Sequence, residues 1–156
     1  DALQLTSKGT AQPLASIPLS TGTAAASAMT EIEALRVADR ADQETLNALV
    51  TTLLAQPQTA PTGYLIRAHK ALDSGEHTAA IEDLRRSLYL RPEHRLARYW
   101  YVEALQATGQ RALAVAQGRQ LELELAQGPG HLLLEDGETT AAQLLDAIRF
   151  VKEGLT

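Results

Sequence analysis

Apolar residues recur every three or four positions along most of the chain, in runs broken by Gly and Pro, and this spacing predicts helices rather than strands. Thr30 followed by Glu33 is a capping-box signature, which starts a helix running to about Asp39. Asp42 can cap a second, in which Leu46, Leu49, Val50, Leu53 and Leu54 form one stripe and which Pro57 and Pro61 close. Thr62 is expected to cap a third, with Tyr64, Leu65, Ala68, Ala71 and Leu72 on its buried side and Gly75 at a tight turn. The helix after it carries Ala80, Ile81, Leu84 and Leu88 on one face and stops before Pro92. Tyr99, Val102 and Leu105, then Gly109, then Ala114, Val115 and Leu121 repeat the plan as far as Gly128-Pro129-Gly130. After a loop through Glu135, Asp136 and Gly137, Thr139 or Thr140 begins a last helix at about 139–153. Leu144, Leu145, Ile148 and Val151 line one of its faces, and Gln143, Asp146, Arg149 and Lys152 the other.

Residues 61–94 and 95–128 are one pattern written twice at a spacing of 34, with Gly75 returning as Gly109, Ala80 as Ala114, Ile81 as Val115 and Arg85 as Arg119. Such a period describes a helix, turn and helix that cannot bury its own apolar face and must stack on a neighbour. The break near Ala41 lies 34 residues before Gly75, so residues 27–60 read as a degenerate first unit. The expected fold is all-α: a right-handed stack of about three hairpins over residues 29–156, closed by the last helix as a cap. Residues 1–28 are mostly Ala, Ser, Thr, Gly and Pro, the composition of a linker. Leu3, Leu5, Leu14, Ile17 and Leu19 are expected to lie extended along the outside of the stack, with the groove as the other course.

The two-helix period resembles the tetratricopeptide repeat. Tyr64 stands at its aromatic position, Ala68 and Ala80 at small positions, Gly75 at the turn, Leu84 at the large apolar position and Pro92 at the end. The third unit departs from the pattern, with Gly118 in place of the large apolar residue, Ala126 in place of the proline and Val102 at a small position. More specifically, Leu84-Arg85-Arg86-Ser87-Leu88-Tyr89-Leu90-Arg91-Pro92 and Glu135-Asp136-Gly137-Glu138-Thr139-Thr140-Ala141-Ala142-Gln143-Leu144 look like the carboxy-terminal region of CheR-type chemoreceptor methyltransferases that carry these repeats. That likeness implies a parent protein whose S-adenosylmethionine-dependent domain precedes residues 1–28 and modifies receptor glutamates. A start at Asp1, without the basic start and apolar run of a signal peptide, is expected of a piece of a longer protein. The glycine-rich strand-to-helix turn that cradles such a cofactor has no counterpart here, so no cofactor is expected in this chain.

By the repeat family's pattern the first helix of each unit lines an inner groove. Leu65, His69, Leu72 and Asp73 then face it from the second unit, Leu96, Tyr99, Glu103 and Gln106 from the third, and Glu31 and Leu35 from the first. Such a groove suits an amphipathic helix or extended peptide with Tyr99 as anchor, whereas packing against the linker or a neighbouring helix is the plainer use of the same residues. The acidic chaperone tails held by some tetratricopeptide domains are disfavoured, since Glu103 would repel them. Arg85, Arg86, Arg91, Arg95 and Arg98 offer an acidic partner a patch, or else cover apolar surface on a solvated outer face.

The formal charge of −5 carries both signs, and Tyr99, Trp100 and Tyr101 on one helix cannot face one strand, so nucleic acid is not an expected partner. No apolar stretch is long enough to span a bilayer. Cysteine is absent, and His69, His77, His94 and His131 show no ligand spacing, so no metal site or catalytic constellation is expected. The expected function is protein recognition in the cytoplasm, by receptors, the parent's catalytic domain or a second copy. The alternative is a free-standing bacterial scaffold for secretion, pilus or envelope assembly, which would place it in the periplasm.

Overall fold

A computed structural model describes residues 29–155. The expectations for residues 1–28 lie outside the described residues. Seven helices follow one another: α1 (Glu31–Arg40), α2 (Gln43–Leu54), α3 (Ala60–Asp73), α4 (His77–Leu90), α5 (Arg95–Ala107), α6 (Arg111–Gln127) and α7 (Ala141–Leu155). The described chain is all-α. Besides the helices there is one isolated antiparallel bridge between Leu133 and Thr140, in the loop before α7.

The helix ends follow from short-range chemistry. Thr30 Oγ1 accepts from the Glu33 N–H at 3.1 Å while Glu33 Oε1 accepts from the Thr30 N–H at 3.4 Å, a reciprocal cap that satisfies two free donors. Asp42 caps α2 through the Thr45 N–H at 2.8 Å, and Thr140 and Gln143 close the same kind of box on α7. Gly75 and Gly109 occupy matching turns with φ of 78° and 79°, a left-handed conformation that a Cβ would strain. Two expectations are corrected. Pro61 does not close α2 but sits in the first turn of α3, where its missing N–H costs nothing. Thr62 accordingly lies inside the helix and is buried, and the cap position falls to Thr59, whose hydroxyl bonds back to the Leu53 carbonyl at 2.6 Å.

Each helix packs on its sequence neighbours, and in addition α1 touches α3, α3 touches α5 and α5 touches α7. The even-numbered helices make no such contacts with one another among the described residues, so the odd-numbered ones form the closer row. The main core runs through α3 to α7, where Ala68, Ala80, Ala97, Ala104 and Ala114 are fully buried beside Leu65, Leu84, Leu105, Leu121 and Ile148. Ala80 and Ala114 thus hold matching buried positions on α4 and α6. A second cluster is separate: Ala34, Ala38, Leu46, Val50 and Leu53 of α1 and α2 pack on Ile66 of α3. At the other end α7 directs Leu144 and Ile148 inward and Gln143, Asp146 and Arg149 outward, with Phe150 also exposed. Gly118 lets it come close, because a Cβ there would stand 3.3 Å from Lys152 Cγ.

Leu84 is fully buried between α4 and its neighbours. Leu84→Asp is expected to destabilise the fold by on the order of 4 kcal/mol, since the new carboxylate has no partner there. The measurement is thermal unfolding by circular dichroism, and an unchanged midpoint would remove Leu84 from the core. Gly118→Leu is expected to push α7 outward and cost about 1–3 kcal/mol by overpacking, read as increased hydrogen exchange in residues 141–155 with α3 and α4 unaffected.

Candidate functional site

The facing sides of α3 and α5 enclose a cleft of about 300 Å³ whose walls include His69, Leu72, Asp73, Trp100 and Glu103. The His69 and Trp100 rings stand 4.3 Å apart and are tilted by 31°. The cleft runs on, through the shared residues His69, Asp73 and Trp100, into a cavity of about 270 Å³ under α1. Leu35 and Ala38 of α1, Ile66 of α3 and Asp136 of the loop before α7 line that cavity. Both hollows are lined mainly by the odd-numbered row, with Leu46 of α2 also bordering the cavity under α1.

The cleft holds two carboxylates, Asp73 and Glu103, and two imidazoles, His69 and His77, whereas Arg36, Arg40 and Lys70 line its continuation under α1. Burial raises the Glu103 carboxyl above its ordinary value, against the hydrogen bond from Tyr99 and the nearby His69. Burial and the Glu103 charge push the Tyr99 hydroxyl up to about 12. Asp73 is exposed, and its nearest basic atom is His69 Nδ1 at 4.0 Å. A larger hollow of about 560 Å³ lies between α2, α3 and α4, where Asp83 is already paired with two arginines. There Arg67 Nε donates to Asp83 Oδ2 at 2.8 Å, and Arg86 Nη1 to Asp83 Oδ1 at 3.2 Å.

Of the residues expected in the groove, His69, Leu72, Asp73, Glu103 and Leu35 do line the two hollows. Leu65 and Leu96 do not: both are buried in the core, because they fall on the inward stripes of their helices with Ala68 and Val102. Gln106 is exposed beside Gly154 of α7, and Tyr99 packs half-buried against the core without lining either hollow. Trp100, the residue after it, holds the central position that sequence reasoning gave to Tyr99.

The five arginines do not form one patch. Arg85 and Arg86 are exposed on α4, where Arg85 Nε donates to the Tyr101 hydroxyl at 3.2 Å and Arg86 lies over the Tyr64 ring. Arg98 is buried, donating to Gln117 and to the Pro92 carbonyl and leaving its Nε without a partner. Arg95 and Arg91 belong to internal networks. Glu135, reaching back from the loop, accepts from the backbone N–H groups of Arg95 at 3.0 Å and Leu96 at 3.4 Å, and from Arg95 Nε at 3.2 Å. It thereby places a negative charge at the N-terminus of α5.

Glu31, expected to face the groove, is instead taken up by the corner between α4 and α5. Its Oε1 accepts from Arg91 Nη1 at 3.1 Å, and its Oε2 lies 2.6 Å from His94 Nε2 and 3.4 Å from the Thr62 hydroxyl. His94 is the cap of α5: its Nδ1 accepts from the Ala97 N–H at 3.1 Å, which assigns the ring proton to Nε2 and directs it at Glu31. Gly137 completes this closure with φ of 72°, and a Cβ there would stand 2.8 Å from Ile32 Cδ1 of α1.

No group of His, Cys, Asp and Glu among the described residues can hold a metal ion, and none of their helices is long and apolar enough to cross a membrane. Burial alone would raise the Glu31 carboxyl, but His94 and Arg91 outweigh it and hold the group below its ordinary value of 4.5. A carboxyl depressed by folding stabilises the protein above its unfolded pKa, and that contribution is lost as pH falls through the folded one. Wild type is therefore expected to lose stability steadily below about pH 4.5, and Glu31→Gln to be less stable at neutral pH with a flatter acid limb. Parallel urea curves for the two proteins from pH 7 to 3 would show that Glu31 is not the group responsible. Comparison with protein-family models, curated proteins and solved structures finds no match to the chain.

Proposed function

We propose that this chain is a polypeptide-recognition module of the tetratricopeptide type, and that the cleft between α3 and α5 receives a segment carrying both apolar and basic side chains. The observation that supports it is the Trp100 wall beside two carboxylates, Asp73 and Glu103, for which the nearest basic group is His69. An aromatic face with adjacent negative charge favours an ammonium or guanidinium group, and the ring gives contact area at small entropic cost. Acidic segments are repelled by the same pair. The basic side chain belongs in the cleft itself, because Arg36, Arg40 and Lys70 line the continuation under α1 and leave that part to apolar or acidic groups of the segment.

The likeness of residues 84–92 and 135–144 to CheR-type enzymes supports a parent protein in which this module recruits or restrains a methyltransferase at its receptors. The chemistry in that reading belongs to a domain before Asp1, and no cofactor-dependent step is assigned to these helices. The gene sequence upstream of Asp1 tests this part: a methyltransferase domain is expected, and a secretion signal followed by a lipid-anchored Cys would favour the envelope scaffold instead.

Binding itself is tested by calorimetric titration of the full chain with an amphipathic Lys/Arg-rich peptide and its Glu-substituted counterpart. The basic peptide is expected to bind, and Trp100→Ala to weaken it by about 1–2 kcal/mol with helicity intact. Because burial raises the Glu103 carboxyl, affinity should also fall as pH drops into the glutamate range, and Glu103→Gln should blunt that fall. Equal affinity for the two peptides, or an unchanged value for Trp100→Ala, would move the site elsewhere.

A further inference from the structure

Among the described residues, helix α1 is held by a polar tie at one end and by a small set of apolar contacts along its length. Its buried side chains are Ala34 and Ala38, which belong with α2 and Ile66 to a cluster separate from the main core, and Leu35 packs partly buried against both clusters. The Glu31 carboxylate, in its first turn, is the polar tie, with Arg91 and His94 from the α4–α5 corner and Thr62 from α3 as its partners. Ile32 against Gly137 is the neighbouring apolar contact. At the other end Ala41 and Asp42 are both extended, with ψ of 145° and 175°, and form a two-residue joint. Asp42 caps α2 by its own side chain, so α2 does not need α1 in place to keep its end.

What α1 covers is the cavity that continues the cleft. Leu35, Ala38 and Asp39 form its wall on one side and Trp100, the single tryptophan of the chain, stands in the other. We propose that α1 is a latched gate: the Glu31 carboxylate fastens it to the α4–α5 corner, and loss of that contact swings it about Ala41 and Asp42 and widens the cavity for solvent or for a longer partner segment. A small helix with few apolar anchors belongs to the low-stability end of a fold, where opening occurs without global unfolding. Protonation of Glu31 removes its charge from the contacts with Arg91 and His94 and loosens the latch, so acid favours the open form; Glu33, the other acidic group of that turn, is committed to the Thr30 cap. The gate governs access to the cavity whatever the cleft binds, and its test uses no ligand.

The test compares wild type and Glu31→Gln as full chains at neutral pH by hydrogen exchange and by acrylamide quenching of Trp100. Exchange in residues 31–40 is expected to rise about tenfold or more in the variant, with α6 and α7 unchanged and Trp100 more readily quenched. Equal increases in α1 and α6 would make Glu31 a contributor to global stability only, and no increase in α1 would mean that the carboxylate does not hold it. Should Glu31→Gln fail to fold, Arg91→Met removes one arm of the latch while leaving the α5 cap, and the same two readouts decide the matter in the same way.

Discussion

Seven short helices have little apolar surface each, and the fold depends on their sharing it at close range. Alanines make this possible: Ala68, Ala80, Ala97, Ala104 and Ala114 are fully buried in the core, where larger side chains would hold the helices apart. The large residues Leu65, Leu84, Leu105, Leu121 and Ile148 then fill the space between the backbones, giving the dense packing that dispersion and the hydrophobic effect require. Gly118 extends the principle to α7, whose approach would bring a Cβ there within 3.3 Å of Lys152 Cγ. Because the seam is continuous from α3 to α7, the side chains left over on α3 and α5 are positioned by packing elsewhere, and the cleft is formed before anything enters it.

Polar contacts set the corners that the apolar seam leaves undefined. Glu31 and Glu135 both reach the start of α5 from distant parts of the chain, one through the His94 cap and the other directly onto backbone N–H groups. A helix start carries unsatisfied donors and partial positive charge, so two carboxylates converging there are a reasonable way to hold both α1 and the loop before α7. Buried ion pairs add little net stability when formed but are costly to break on one side, which makes them better at fixing geometry than at adding stability. The Arg91 and Arg95 side chains are used for this purpose, and that is why a run of arginines in the sequence does not become a charged surface.

Much of this was legible because its causes are local. The caps at Thr30, Asp42 and Thr140 each involve residues three apart, and the turns at Gly75 and Gly109 need only a residue that tolerates positive φ. Thr62 was misread because Pro61 can begin a helix as readily as end one. Periodicity gives the angle between consecutive residues, 100° each, but not the absolute phase of the helix. Tyr101 turns into the core, Tyr99 packs at its edge and Trp100 reaches the cleft, and a rotation of one residue exchanges those roles. The Glu31–His94 and Glu135–Arg95 contacts span 63 and 40 residues and have no local signature.

The same accounting separates what builds the molecule from what is left to recognise a partner. In the segment 135–144, Glu135 caps α5, Asp136 binds the Thr139 backbone and hydroxyl, Gly137 admits Ile32, and Thr140 and Gln143 cap α7. Every one of these has a folding task. The residues without such a task are on α3 and α5. Asp73, Trp100 and Glu103 close no turn and cap no helix, and burial there raises the Glu103 carboxyl at a cost to the charged form. A cation from outside would relieve that burial penalty directly, and this is the physical basis of the proposed recognition of a basic side chain.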